Sequence, residues 1–181
     1  MYQVGSLKLT MDNANQAMTV FPFVKKRLEC WEYWGECLTV RGCNLIVENE
    51  THLDMVEDYL EHHDLLLGIC KEIAIQHPEY SFTLEADGCD DEGYVDFSEE
   101  GTLKYGQFDY RRVILTRGPC EELGDEEIED ALDAAEIDDI DEIPFEHITT
   151  VTGTRKNGRW SFKSKEKVKT EDWIEEILQG D

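Results

Sequence analysis

Residues 51–84 read THLDMVEDYLEHHDLLLGICKEIAIQHPEYSFTL. Leu53, Val56, Leu60, Leu67, Cys70, Ile73 and Ala74 recur at helical spacing and form one apolar stripe, which predicts a helix from Thr51 to His77. Thr51 is placed to cap it, with Asp54 three residues on in the manner of a capping box. Pro78 has no N–H to continue the helix. Immediately after it the apolar period drops to two, and Tyr80 to Leu84 reads as a strand. A helix with a single apolar stripe has to bury it against another layer, and the strands that flank it supply a sheet.

Upstream, Tyr2 to Thr10 alternates as a first strand. Val20, Phe21, Phe23, Val24 and Leu28 suggest a short helix between Ala17 and Cys30, interrupted by Pro22. Glu36 to Val40 and Asn44 to Val47 read as short strands separated by Arg41, Gly42 and Cys43. Downstream, Gly93 to Phe97 and Asp109 to Thr116 continue an antiparallel meander, with Thr102 to Tyr105 as a further strand. The expected class is α+β: an antiparallel sheet packed by one long helix, ferredoxin-like in its order of elements.

The chain changes character at Pro119. From there to Glu146 it has 14 acidic residues and no basic one. Within that block, Asp125 to Glu136 keeps an apolar face of Ile128, Ala131, Leu132 and Ala135, so an amphipathic helix is expected, with Asp125 as its cap. Phe145 to Lys165 reads as a β-hairpin turning at Asn157-Gly158, because both residues tolerate the positive φ of a type I′ turn. In its second arm Trp160 and Phe162 fall on one side, and Arg159, Ser161, Lys163 and Lys165 on the other. Thr170 to Leu178 closes the chain as a helix, with Thr170 as cap and Trp173, Ile174, Ile177 and Leu178 inward. The expected organisation is a core over 1–118, with the acidic helix, hairpin and terminal helix of 119–181 packed on it as one domain.

Seven Phe, seven Tyr and four Trp in 181 residues are enough to build a core. Met1 to Thr10 has one lysine and no apolar run, so no signal peptide is expected there. No stretch approaches the length of a transmembrane helix. A cytoplasmic location is expected. Six cysteines stand at 30, 37, 43, 70, 89 and 120 with no C-x-x-C spacing, so reduced thiols are expected rather than disulfides or zinc.

The formal net charge is −25, from 42 Asp and Glu against 17 Lys and Arg. Such a field repels free nucleic acid and anionic membranes and speeds encounter with basic proteins. The acids are clustered. Seven carboxylates in the 12 residues Asp125 to Glu136 give one charge per ~2.6 Å of helix axis, between the ~3.4 Å of one DNA strand and the ~1.7 Å of a duplex. Asp125, Glu126, Glu127, Asp130, Asp133 and Glu136 are therefore candidate contacts for a basic groove. Asp90, Asp91 and Glu92, in the acidic run from Asp87 to Glu100, are a second set.

That run was weighed as a calcium loop. With Gly93 at the obligatory glycine, Asp90, Glu92, Asp96 and Glu99 fall at ligand positions. The first ligand would then be Gly88, which has no side chain, and an acidic turn between strands is the better reading. No H-E-x-x-H, nucleophile elbow or phosphate-binding glycine motif occurs, so no catalytic residue, metal or cofactor is expected. The counterweight is Arg155 to Lys169, with seven basic residues and one acid. It offers a secondary basic surface of Arg159, Lys163 and Lys165. That surface has three readings: pairing internally with the acidic block, gripping phosphate with a stacking aromatic, or touching RNA within a larger complex.

The run Trp34 to Cys43 (WGECLTVRGC), the helix after Thr51 and the strand Tyr80 to Asp87 (YSFTLEAD) are similar to small accessory proteins of Firmicutes mobile elements. In length, acidity and lack of catalytic motifs the chain resembles the type II-A anti-CRISPR proteins, inhibitors of Cas9. The resemblance assigns no individual residue. It implies a non-enzymatic inhibitor whose target is Cas9 with its guide RNA, blocked in DNA binding or cleavage. A regulatory interaction protein of a mobile element and a metal-dependent enzyme are the alternatives.

Overall fold

A computed structural model describes residues 3–30, 34–51, 64–89, 95–118, 126, 129–130, 132–133 and 143–179. Its frame is an antiparallel sheet of eight strands. In chain order the elements are β1 (Gln3–Met11), α1 (Ala14–Leu28), α2 (Trp34–Cys37), β2 (Thr39–Arg41), β3 (Asn44–Thr51), α3 (Leu65–Gln76), β4 (Phe82–Cys89), β5 (Val95–Lys104), β6 (Gln107–Arg117), β7 (Pro144–Lys156), β8 (Arg159–Lys169) and α4 (Asp172–Gln179). The strands lie in the order β2-β3-β1-β4-β5-β6-β7-β8. With the one-turn α2 set aside, the elements from β1 to β4 follow β-α-β-β-α-β, with β1 between β3 and β4 in the sheet, and β5 to β8 extend the sheet as a meander.

Alternation gives this sheet one apolar face. Leu7 lies opposite Val47 on β3 and Ala86 on β4; Leu9 lies opposite Leu45 and Leu84. The next row on this face runs Met11, Phe82, Leu103 and Phe108. All of these side chains are buried. Two helices cover them rather than one. In α1, Ala17, Val20, Val24 and Leu28 are the buried side chains, and Asn13 caps the first turn by accepting from the Gln16 amide at 3.0 Å. Pro22 sits inside α1 without breaking it. It lies on the exposed side, where the carbonyl it leaves unpaired faces water. In α3, Leu66, Leu67, Ile69, Cys70, Ile73 and Ala74 are buried.

Thr51 ends β3, paired with Gln3, and residues 52–63, which it would cap, lie outside those described. The described helix begins after Asp64, and Leu53, Val56 and Leu60 lie outside the described residues. The expected strand Glu36 to Val40 splits into the turn α2 and the short β2, since burying Trp34 to 1 % exposure requires the chain to coil beneath the helices. Thr102 to Lys104 is the end of β5, whose core register Phe97, Glu99, Gly101, Leu103 runs through without a break.

β7 pairs with β6 from Gln107–Thr154 to Arg117–Pro144, so the sheet is continuous across residue 118. The hairpin turns as expected at Asn157 (φ 51°) and Gly158 (φ 76°). Trp160 and Phe162 return to the main core: the Trp160 indole N–H donates to the Ala74 carbonyl of α3 at 3.0 Å, and Phe162 packs edge-on to Phe108. Thr170 does not cap α4 by its side chain. Its hydroxyl donates to the Pro144 carbonyl at 2.7 Å, and its N–H is taken by Glu175 at 3.3 Å. Ile174 of α4 is buried with Ile143 and Phe145 in a smaller cluster. No helix among the described residues is long and apolar enough to cross a membrane.

Aromatic rings on this face lie across glycines of the neighbouring strand. Phe97 faces Gly88 and Phe162 faces Gly153. A Cβ on Gly153 would stand 2.7 Å from two ring carbons of Phe162 and 3.1 Å from the Phe108 Cβ. Gly153→Ala should therefore destabilise the fold by about 1–3 kcal/mol through overpacking. Thermal unfolding should show the midpoint several degrees below wild type; an unchanged midpoint would mean that Phe162 has another rotamer to occupy.

Candidate interaction surfaces

The described part of the acidic segment has the sidedness its pattern implies. Glu126, Glu129, Asp130 and Asp133 are helical and exposed. Leu132 is half-buried against the cluster of Ile143, Phe145 and Ile174, with Val168 of β8 beside it. The charged side is thus held outward by an apolar anchor on the sheet. Asp125, Glu127, Glu136, Asp90, Asp91 and Glu92 lie outside the described residues. Of the calcium-loop positions, Asp96 and Glu99 are described. They fall an odd number of residues apart on β5 and so point to opposite faces of the sheet, which no single ion bridges. Among the described residues no group of three His, Cys, Asp or Glu is arranged to hold a metal.

The face of the sheet away from the helices is open and polar. One register row runs Thr39, Ile46, Lys8, Glu85, Glu100, Arg111, Thr150 and Lys165. Carboxylates hold its middle, with Lys8 on one side and Arg111 and Lys165 on the other. The basic end is the edge strand β8. Lys163, Lys165, Lys167 and Lys169 all fall on the open face and all are exposed, as is Arg159 at the turn. Among the described residues no salt bridge engages these four lysines; the ion pairs are Arg41 with Glu48, His77 with Glu79 and Arg112 with Asp64. Lys167 and Lys169 extend the sequence-derived basic set. The signal for them was the same alternation carried two steps further.

A buried polar group, which sequence reading missed, lies on the core face. Glu99 and Arg112 are direct cross-strand partners on β5 and β6, and both are buried. The Tyr110 hydroxyl donates to Glu99 Oε1 at 2.5 Å. Arg112 reaches the other way: Nη1 donates to Asp64 Oδ1 at 2.9 Å and Nη2 to Thr149 Oγ1 at 3.3 Å. Asp64 consequently leaves its cap position without a side-chain bond to the helix. Among the described residues Glu99 Oε2 has no hydrogen-bond partner. Burial pushes the Glu99 carboxyl up from 4.5 to about 7, against the Tyr110 hydrogen bond and the Arg112 charge, with Asp64 adding to the rise. The Cys70 thiol of α3 is pushed up by burial and by Glu99, which disfavours its thiolate. The legible signal was a Glu in the register Phe97, Glu99, Gly101, Leu103 and an Arg in Phe108, Tyr110, Arg112, Ile114.

No protein family, curated protein or solved structure matches the chain. The site is therefore read from its own geometry.

A carboxyl held above its unfolded pKa binds its proton more tightly in the fold. The stability it contributes is complete below about pH 4.5 and is lost as pH rises through about 7. Denaturant unfolding at pH 5, 6, 7 and 8 should show stability falling across that window, by an amount on the order of 3 kcal/mol. Glu99→Gln, which keeps the shape and removes the titration, should flatten this part of the profile. A wild-type profile identical to that of Glu99→Gln would place the carboxyl in contact with water.

Proposed function

We propose that this is a non-catalytic binding protein that uses the acidic helix to occupy a Lys/Arg-lined, nucleic-acid-binding groove of a basic protein. The observation that carries this reading is the anchoring of Leu132 beneath exposed Glu126, Glu129, Asp130 and Asp133. Carboxylates fixed on a packed helix lose little freedom on binding, and their axial spacing of roughly one per 2.6 Å suits a channel shaped for phosphates. The resemblance to type II-A anti-CRISPR proteins names the target: Cas9 with its guide RNA, whose channels grip heteroduplex and displaced strand through backbone charge. The net charge of −25 supports fast, steered association with such a surface and disfavours free nucleic acid at long range. The framework beneath is inferred to be a ferredoxin-like unit, β1 to β4 with α1 and α3, enlarged by the β5 to β8 meander.

Glu126→Lys, Asp130→Lys and Asp133→Lys combined change only exposed positions. The triple variant should keep the wild-type circular dichroism spectrum and lose inhibition of target-DNA cleavage by purified Cas9–guide complex. Association of the wild type should slow at least ten-fold between 50 and 500 mM salt while dissociation changes less. A salt-independent association rate, or full inhibition by the triple variant, would remove the acidic helix from the mechanism.

A further inference from the structure

We infer that the open face of β8, with the hairpin tip beside it, binds single-stranded RNA. The lysines Lys163, Lys165, Lys167 and Lys169 repeat every second residue, about 6.7 Å apart, along some 20 Å of one straight edge strand. That interval is close to twice the ~3.4 Å rise per phosphate of a nucleic-acid strand. Thr152 of β7 stands directly opposite Lys163 and adds a hydroxyl on the same face, while the Thr150 hydroxyl donates to the Lys165 carbonyl at 3.4 Å and ties β7 to the lysine strand. Lysines on an edge strand also discourage edge-to-edge pairing, and that role alone would account for one or two of them. It does not account for what stands at the tip.

The β5–β6 turn is Tyr105-Gly106, with φ values of 52° and 72°. This is a turn that favours Asn or Asp followed by Gly, and a tyrosine in the left-handed region is uncommon and costs conformational energy. Its ring is 90 % exposed. The strained residue therefore fills no core; it presents an aromatic surface to solvent. Lys104 Nζ lies 5.4 Å from the ring centroid, and the Arg155 amide donates to the Gly106 carbonyl at 3.1 Å, which brings this turn alongside β7, the neighbour of β8. An exposed ring and a row of ammonium groups on one sheet are the combination that holds unpaired bases by stacking and backbone by charge. Trp160 cannot serve, because its indole is bonded to α3. Duplex would leave the ring unused, and unpaired strands in a cell are chiefly RNA.

The −25 net charge shapes how this surface works. At 10 mM salt the screening length of about 30 Å lets a strand sense the whole molecule, which repels it. Near 150 mM, at about 8 Å, the strand senses only the lysine row. Above that the row itself is screened. Affinity should therefore pass through a maximum with salt rather than fall throughout. The lysines lie on the open face and Leu132 packs on the core face, so each reading fails on its own.

The test is fluorescence anisotropy of a labelled 15-nucleotide oligouridine with the full chain at 10, 50, 150 and 500 mM KCl. The expected result is tightest binding between 50 and 150 mM, then a decline with a log–log slope near −3 for about four engaged lysines. Lys163→Gln with Lys165→Gln should reduce that slope by about 1.4. Tyr105→Asn supplies a residue the turn prefers, so the fold should gain stability while RNA affinity drops five-fold or more. The acidic-helix triple variant should bind RNA at least as well as wild type. No binding at any salt, equal binding of a 15-base-pair DNA duplex, or equal competition by polyglutamate would overturn the RNA assignment. Salt-sensitive dimers in mass photometry that vanish with the lysine variant, with no RNA bound, would overturn it in favour of a second copy as occupant.

Discussion

β1 is held between β3 and β4 by side-chain register as much as by hydrogen bonds. Leu7 and Leu9 each meet an apolar partner on both sides, and a slip of one residue would turn Lys8 and Ser6 into the core. That constraint fixes which face the helices cover. It also fixes the opposite face as polar, since every residue between the buried ones must point away from them. The two interaction surfaces described here inherit their positions from it. The lysine row of β8 is the outward half of an alternation whose inward half is Trp160 and Phe162, and the acidic helix rests by Leu132 on the same apolar side of the sheet as α4.

Glu99 and Arg112 show what the same constraint costs. Both occupy core positions in the register, so the sheet buries them whether or not their charges are matched. The fold answers with partners drawn from three elements: Tyr110 from β6, Asp64 from the start of α3, and Thr149 from β7. Removing one side of such a group is more damaging than its net contribution suggests, because the remaining charge stays buried. The Arg112–Asp64 bond ties the start of α3 to the middle of the sheet.

Charge segregation is the second theme. A chain of −25 can still present a basic strip, because screening at physiological salt confines what a ligand senses to about 8 Å. The sheet makes this segregation sharp. Along one register row the sign of the side chains changes from Lys8 through Glu85 and Glu100 to Arg111 and Lys165. A protein that meets both a basic groove and a nucleic-acid strand would use such a map.

Local pattern determined a good deal. β1, β6, the Asn157-Gly158 hairpin, the inward Trp160 and Phe162, and the outward Glu126, Asp130 and Asp133 were all readable, since period and turn chemistry act over a few residues. Pro22 misled because propensity does not know which side of a helix faces water. Thr51 pairs with Gln3 at the end of β3, a role its local sequence did not suggest. Sequence could name Glu99, Arg112, Asp64 and Tyr105 but not join them to anything. Glu99 lies 13 positions from Arg112 and 35 from Asp64, and contacts at that separation depend on how strands are ordered. Tyr105 became notable only when its backbone was seen in the left-handed region with the ring in solvent. The sequence by itself determined the periodicities and the charge. Tertiary structure alone decided which strands are neighbours, and therefore which charges are buried together and which stand in a row.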